Sequence, residues 1–286
     1  MAGVLSRPEP PNEVMPSPFC RCWNLDAEDG DYETELGNPD CGCGEDLNFV
    51  KIRWSTPRSD PVWAELYEDK KTVVFHPHYS AGTAIVKSNV RLMPDMHYYW
   101  EIKMMNRPYG TDVMVGIGTK DIPEGIRDYA TCLGSCPNSY GLSYTGAVCH
   151  NSMVVDDCPG FCKGTIIGVM VNMFHGTLEF YLNRVPQGIC FTDLRRHRAL
   201  YPMVCSSAAQ TTMRLTYASL WKDSLLIPAS KILAASVTDP LTFENMPPGI
   251  SLIMKYNFWI PLTSGGRILE NDEERFIRDR VRERRF

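Results

Sequence analysis

Long apolar runs are missing from this chain of 286 residues: no stretch approaches the ~18 uninterrupted apolar residues of a helical membrane span. The first 18 residues hold five prolines and no apolar core, which excludes a secretory signal. With no route to an oxidising compartment, the 11 cysteines read as reduced thiols or metal ligands, and an intracellular, soluble protein is expected. Basic charge is scarce. Net charge is −5, and residues 22–50 carry nine acids with no lysine or arginine, which argues against nucleic-acid binding by phosphate neutralisation. Catalytic signatures are missing too: there is no HExxH, phosphate loop, nucleotide fingerprint or paired-carboxylate motif. Cys149 and His150 are neighbours on a predicted strand, so they point to opposite faces and cannot form a nucleophile–base pair. Neither catalysis nor a cofactor is expected.

What is present is an ordinary globular composition, 44% hydrophobic and 22% charged, in a chain long enough for one core of ~200 residues with appendages, or for two small domains. Residues 1–50 divide into a Pro-rich start and the acidic stretch, and like charges at that density favour a solvated segment. From Trp54 onward, short apolar runs alternate with Gly, Pro, Asn and Asp, the pattern of an antiparallel all-β domain. Tyr98, Trp100, Ile102 and Met104 face one way and Glu101 and Lys103 the other, while Val113–Gly118 is apolar throughout, as in a strand covered on both faces. Strands are also predicted at 73–75, 166–173, 178–182, 201–205 and 213–217, with a glycine turn at Gly176 joining the second and third of these into a hairpin. No segment of any length between 60 and 217 has helical periodicity, so the expected fold is mainly β, an antiparallel β-sandwich.

After Tyr217 the pattern changes. Leu225, Ala229, Ile232, Leu233 and Ser236 share one face at helical spacing, with Pro228 tolerable only in the first turn. A second short amphipathic helix is predicted after Pro247-Pro248-Gly249, through Ile250, Ile253, Met254 and Phe258. Helices this short do not survive alone in water, so their apolar faces must dock on the sandwich or on another protein. The last 17 residues, with six arginines and six acids, read as a solvated tail. The expected divisions are 1–50, 51–219, 220–262 and 263–286.

Two close pairs, Cys20-x-Cys22 and Cys41-x-Cys43, flank the acidic stretch. Soft thiolates could hold zinc, but structural zinc sites usually place two to four residues between paired cysteines, and free thiols in an acidic segment are the alternative. Tyr98, Trp100 and Phe180 read as core, and His76, His78, His97, His150 and His175, in no paired-ligand spacing, as structural.

His97-Tyr98-Tyr99-Trp100-Glu101-Ile102, Val115-Gly116-Ile117-Gly118-Thr119, Tyr140-Gly141-Leu142-Ser143, Gly164-Thr165-Ile166-Ile167-Gly168-Val169, Gly176–Asn183 and Leu200-Tyr201-Pro202-Met203-Val204 resemble the successive signatures of the SPRY domain. The two-helix segment that follows resembles a SOCS box, and together they resemble the SPRY domain-containing SOCS box family. Tyr109–Asp112, Leu142–Gly146 and Cys205–Ala209 resemble its third subtype. The resemblance implies a non-catalytic substrate receptor of a cullin-RING ubiquitin ligase. Its SPRY domain would bind an Asn-containing linear segment of a target, and its SOCS box would recruit Elongin B/C and a cullin, leading to ubiquitination and proteasomal degradation. By motif, the implied peptide site is Tyr79, Ser80, Ala81, Gly82 and Thr83; Tyr129, Cys132, Leu133 and Gly134; and Ser207, Ala208 and Ala209. The implied Elongin-binding face is Leu225, Ala229, Ile232 and Leu233, and the implied cullin element is Met246 and Pro247. Two departures stand out. Pro228 and Ala229 replace the usual Leu and Cys, leaving a small second anchor, and the Leu-Pro-x-Pro cullin element is reduced to Glu244-Asn245-Met246-Pro247. The alternative is a SPRY interaction module that no longer recruits a ligase.

Overall fold

The computed structural model describes residues 18–19, 41–45, 51–57, 63–68, 70–236, 247–250, 257 and 259. The described strands are β1 (Ala64–Tyr67), β2 (Thr72–Phe75), β3 (Thr83–Lys87), β4 (Met96–Met104), β5 (Val113–Gly118), β6 (Gly125–Ile126), β7 (Ser139–Ser143), β8 (Ala147–His150), β9 (Met153–Asp157), β10 (Ile166–Asn172), β11 (Thr177–Leu182), β12 (Val185–Phe191), β13 (Tyr201–Ser206) and β14 (Thr212–Lys222), followed by helix α1 (Leu226–Ser236). They form two antiparallel sheets, ordered β1-β2-β14-β4-β10-β11-β12 and β6-β3-β13-β5-β7-β8-β9.

Alternation explains the layering. Tyr98, Trp100, Ile102 and Met104 of β4, with Val169 and Val171 of β10 and Leu178, Phe180 and Leu182 of β11, bury themselves against Val113, Val115 and Ile117 of β5. Two inner faces of branched and aromatic side chains thus make one core between the sheets. The second sheet is also covered outside, where Ile85, Met114, Met203 and Cys205 pack with Leu133 and Cys132. This accounts for the unbroken apolar run of β5, buried along its whole length.

The outer face of the first sheet holds the charges. Glu101 and Lys103 do face away from the core, yet both are fully buried, because Cys41–Glu45 and Arg184 lie over them. Lys103 Nζ donates to Cys41 O (2.7 Å) and Cys43 O (3.0 Å) and lies 3.6 Å from Glu45 Oε1. Arg184 donates to both Glu101 carboxylate oxygens (2.9 and 3.0 Å) and to Gly44 O (3.1 Å), and its guanidinium stands over the Phe19 ring. Cys41–Glu45, expected within a solvated acidic stretch, is therefore laid across the sheet: the buried Lys103 ammonium and the partly buried Arg184 guanidinium donate to its carbonyls. Cys41 is buried with its Sγ 3.4 Å from Lys103 Nζ; Cys20 and Cys22 lie outside the described residues. No group of three or more candidate metal ligands occurs among the described residues.

From the other end of the chain, Trp259 is fully buried and stacks on Tyr99 (ring centroids 5.7 Å apart, 12° between planes) beside Met170, Tyr181 and Tyr217. Asn257 Oδ1 accepts from Trp221 Nε1 at 2.7 Å. β14 runs on to Lys222, five residues beyond the predicted strand, because these late positions still pair with the start of β4. The join is pinned by His97, whose Nε2 lies 2.6 Å from Asp223 Oδ1. α1 follows, with Pro228 in its first turn; Pro248–Ile250 are helical, and the rest of the predicted second helix, apart from Asn257, lies outside the described residues, as does the tail at 263–286.

Candidate functional site

Five connections meet at one end of the sandwich: β2–β3, β4–β5, β6–β7, β7–β8 and β13–β14. Strands fixed in two sheets hold these loop bases rigidly, so the loops can carry recognition without disturbing the core.

The β2–β3 loop is tied to its neighbours by short polar contacts. Ser80 Oγ donates to Ser207 O (2.6 Å), and Tyr129 OH donates to Ser80 O (2.9 Å). Thr83 Oγ1 bonds to Ala130 O at 2.9 Å, and His76 Nε2 donates to Ser206 O at 3.1 Å. Burial holds the His76 imidazole below its ordinary range. The loop turns at Gly82, whose φ of +137° is a glycine conformation and whose missing Cβ would collide with Ile126 O. Gly82→Ala is accordingly expected to cost at least ~2 kcal/mol, read as a fall in Tm of roughly 5 °C. An unchanged melting curve would contradict that account of the turn.

The residues implied by family resemblance sort into two groups. Tyr79, Ser80, Ala81, Tyr129 and Ala209 reach the surface, with Tyr79 and Tyr129 respectively 72% and 54% exposed. Gly82, Thr83, Ser207 and Ala208 are buried directly beneath them. Cys132, Leu133 and Gly134 do not open to that surface. The first two pack on the outer side of the second sheet, and Gly134 turns against Cys149.

The β4–β5 connection completes the site, and the implied set did not include it. Tyr109, half exposed, donates its hydroxyl to Ala209 O (2.7 Å), and Tyr144 OH donates to Gly110 O (2.9 Å). Asp112 is buried under the loops, accepting from Ser143 Oγ (2.9 Å) and from Thr131, while its own N–H bonds to Ser207 Oγ (2.9 Å). Burial raises the Asp112 carboxyl above its ordinary value, and these hydrogen bonds oppose the shift. Through its carboxylate and its backbone N–H, Asp112 thus ties the β4–β5, β6–β7 and β13–β14 connections and the end of β7 together. The signal available in the sequence was Tyr109-Gly110-Thr111-Asp112, an aromatic and a carboxylate around a glycine in a short connection.

Tyr79, Tyr109 and Tyr129 stand as exposed aromatic faces above a floor of small side chains and backbone. Such a surface suits an extended peptide: flat rings cover apolar atoms, and small residues let the ligand backbone approach. Burial disfavours the thiolate form of the thiols nearby. Burial, then Asp112, pushes Cys132 up to about 12, and Cys149 is pushed up to about 11. His150 stacks on Tyr140, with ring centroids 4.1 Å apart, and bonds to Ser139 O.

A second surface lies on α1. Ile227 and Ser230 are buried, whereas Leu225 is 87% and Ile232 72% exposed, with Leu226 and Ala229 on the open side and Leu233 half-buried. Lys231 approaches Glu179 of β11, whose carboxyl burial pushes up. Of the implied cullin element, Pro247 is exposed and Met246 lies outside the described residues. No described helix is long and apolar enough to cross a membrane.

Residues 97–218 match the family model for the SPRY domain. SPRY domain-containing SOCS box protein 3 from Xenopus tropicalis is 35% identical over 246 residues, covering 82% of this chain and 66% of that protein. The Xenopus laevis protein of the same name is 37% identical over 220 residues, 75% of this chain and 60% of that one. Protein gustavus of Drosophila melanogaster is 31% identical over 182 residues, 58% of this chain and 62% of its own length. The chain thus spans somewhat less than two thirds of the curated relatives it matches. It belongs to the SPRY-domain family, and over most of its length it is a homologue of SPRY domain-containing SOCS box protein 3.

Proposed function

We propose that this chain is a substrate-recognition adaptor of a cullin-RING ubiquitin ligase. The SPRY sandwich, taken as 51–219, holds an Asn-containing linear segment of a target at its loop end. The SOCS box, taken as 220–262, presents α1 to Elongin B/C, which brings a cullin scaffold. The mechanism is proximity: tethering raises the local concentration of target lysines near the conjugating enzyme, and the adaptor performs no chemistry. An intracellular setting, cytoplasm or nucleus, accompanies those partners.

The observation that carries this reading is the orientation of α1. A helix of 11 residues gains little from its own hydrogen bonds in water, and this one docks through Ile227 while leaving Ile232, and Leu225 just before its start, open. Large apolar side chains on one helix face are the usual anchors for a groove on a partner. β14 supports the division of labour. It starts just after the Ser207–Gln210 loop and delivers the chain to α1 at its far end, roughly 35 Å away at ~3.3 Å per residue. A peptide site and a ligase site so separated do not compete.

Purified wild-type chain is expected to co-elute with Elongin B/C. Leu225→Asp, which would place a carboxylate in an apolar pocket, is expected to weaken that complex at least ~100-fold without loss of fold. Tyr129→Ala is expected to spare Elongin binding and remove capture of the Asn-containing segment. Failure of the wild-type chain to bind Elongin B/C at micromolar concentration would reject the adaptor reading. It would leave a SPRY interaction module without ligase recruitment, the alternative that Pro228 and Ala229 favour.

A further inference from the structure

A cavity of about 1020 Å³ opens on the outer face of the second sheet and shares no lining residue with either surface described above. Its walls follow from strand alternation. Residues 53–55 run antiparallel beside the end of β3: Ser55 N–H donates to Lys87 O (2.8 Å), Asn89 N–H donates to Arg53 O (2.9 Å), and Trp54 bridges Ser88. Trp54 fills the core, so its neighbours Arg53 and Ser55 point outward, to the side where Ile85 and Tyr201 pack. Lys87 reaches the same side. Its Nζ donates to Lys120 O (2.8 Å) and to Ile122 O, which fixes the 120–124 turn as the opposite wall.

Four cations line the cavity, Arg53, Lys70, Lys87 and Lys120, against one acid, Glu124. In a chain of net charge −5, that is a local reversal of sign. Lys70 and Lys120 make no ion pair among the described residues, and the lining hydroxyls of Ser55 and Thr56 make no hydrogen bond there. Burial lowers the Lys87 ammonium below its ordinary value, although Glu124 and Asp121 oppose the shift. The cavity thus holds positive charge and free donors that its own acids do not offset.

We propose that this cavity binds a small phosphate-bearing molecule, with the phosphate among the four cations and the organic part against Tyr201 and Pro57. Cations arriving from two walls suit an anion of more than one charge with three acceptor oxygens, and the Ser55 and Thr56 hydroxyls can donate to the same oxygens. The volume lies at the upper end of the roughly 300–1,000 Å³ of small-molecule sites, and the lining joins charged with apolar surface as such sites do. β3 carries Thr83 of the loop end at its start and Lys87 at its end, so the two sites stand roughly 13 Å apart along one strand and do not overlap.

The test is isothermal titration calorimetry of the full chain at about 150 mM salt, with phenyl phosphate and inorganic pyrophosphate as probes. Phenyl phosphate is expected to saturate a single site, with pyrophosphate competing for it. Lys120→Glu and Lys70→Glu, changes at exposed positions on different walls, are each expected to weaken binding at least ~10-fold while leaving the Tm of the free chain unchanged. Arg198→Glu, at an exposed arginine outside the cavity, is expected to leave binding as it is. The proposal is overturned if phenyl phosphate gives no saturable binding at millimolar concentration, or if neither lysine change weakens it. It is equally overturned if Arg198→Glu weakens binding as much as Lys120→Glu, which would mark a general attraction of anions to surface charge.

Discussion

Trp259→Ala is expected to destabilise the protein by about 3–5 kcal/mol, a larger loss than removal of a typical strand residue. The side chain is fully buried although it lies far beyond the last strand in sequence, and it is stacked on Tyr99 with Tyr181 and Tyr217 around it. Removing the indole empties the largest plug on the outer face of the first sheet. It also releases the segment in which Asn257 accepts from Trp221 and Ser219. For a domain of this size a loss of that magnitude lowers Tm by roughly 10 °C. Hydrogen exchange adds a sharper readout: amides of the C-terminal segment should lose protection before those of β5 and β13. A Tm within a degree or two of wild type would show that Trp259 contributes cover and little stability.

Arg184→Met is the second large effect, about 3–5 kcal/mol, because it strands a carboxylate in the dry layer between sheet and chain ends. Glu101 has no exposed surface and receives both Arg184 donors and the Tyr99 hydroxyl at 2.8 Å. Burial already lifts the Glu101 carboxyl above its ordinary 4.5, and Arg184 is the main group opposing that shift. Without the guanidinium the folded-state value rises further. An acid whose folded pKa exceeds its unfolded one binds its proton more tightly when folded. The penalty is therefore full at neutral pH and shrinks as pH falls through the raised value. The variant should thus regain part of its stability on mild acidification, and Glu101→Gln in the same background should rescue it at pH 7. A deficit independent of pH would mean that lost contacts to Gly44 and Phe19, and not the uncompensated charge, dominate.

Both predictions concern the layer that was least legible in the sequence. The alternation at 98–104 placed Glu101 and Lys103 correctly on the face opposite Trp100, because side-chain direction in a strand is local. What covers that face is not local: Cys41–Glu45 lies over Glu101 and Lys103, Trp259 from the other end of the chain covers the neighbouring Tyr99, and a cluster of acids gave Cys41–Glu45 the composition of a solvated segment. β2, β4, β5, β10, β11 and β13 were readable almost to the residue, whereas β3 was not predicted and β14 was read five residues short. β12 was not readable either, since Pro186 and Gly188 interrupt it in the manner of an edge strand with an irregular register. β9, with exposed Met153 and Val154 ending in two aspartates, lacks a buried face to mark it.

The site was legible in part, and through motif resemblance more than through physics. Tyr79, Ser80, Tyr129 and Ser207–Ala209 do come together at one end. Tyr109 and Asp112, which brace the same loops, stood in a stretch that marked the subtype, but nothing local tied that stretch to the loops of distant strands it braces. The helical spacing of Leu225, Ala229 and Ile232 marked an apolar face, and Ile227 with Ser230, a mixed pair, turned out to be the docking face. A single isoleucine and a serine give no periodic signal.

The most direct measurement is whether one chain holds both partners together. Purified protein, an Asn-containing target segment and Elongin B/C would be mixed and their assembly followed by size-exclusion chromatography with light scattering. The adaptor account predicts one ternary species of one copy each, lost in separate halves by Tyr129→Ala and Leu225→Asp. Binding of the two partners only in mutually exclusive complexes, or no Elongin B/C in any complex, would contradict it.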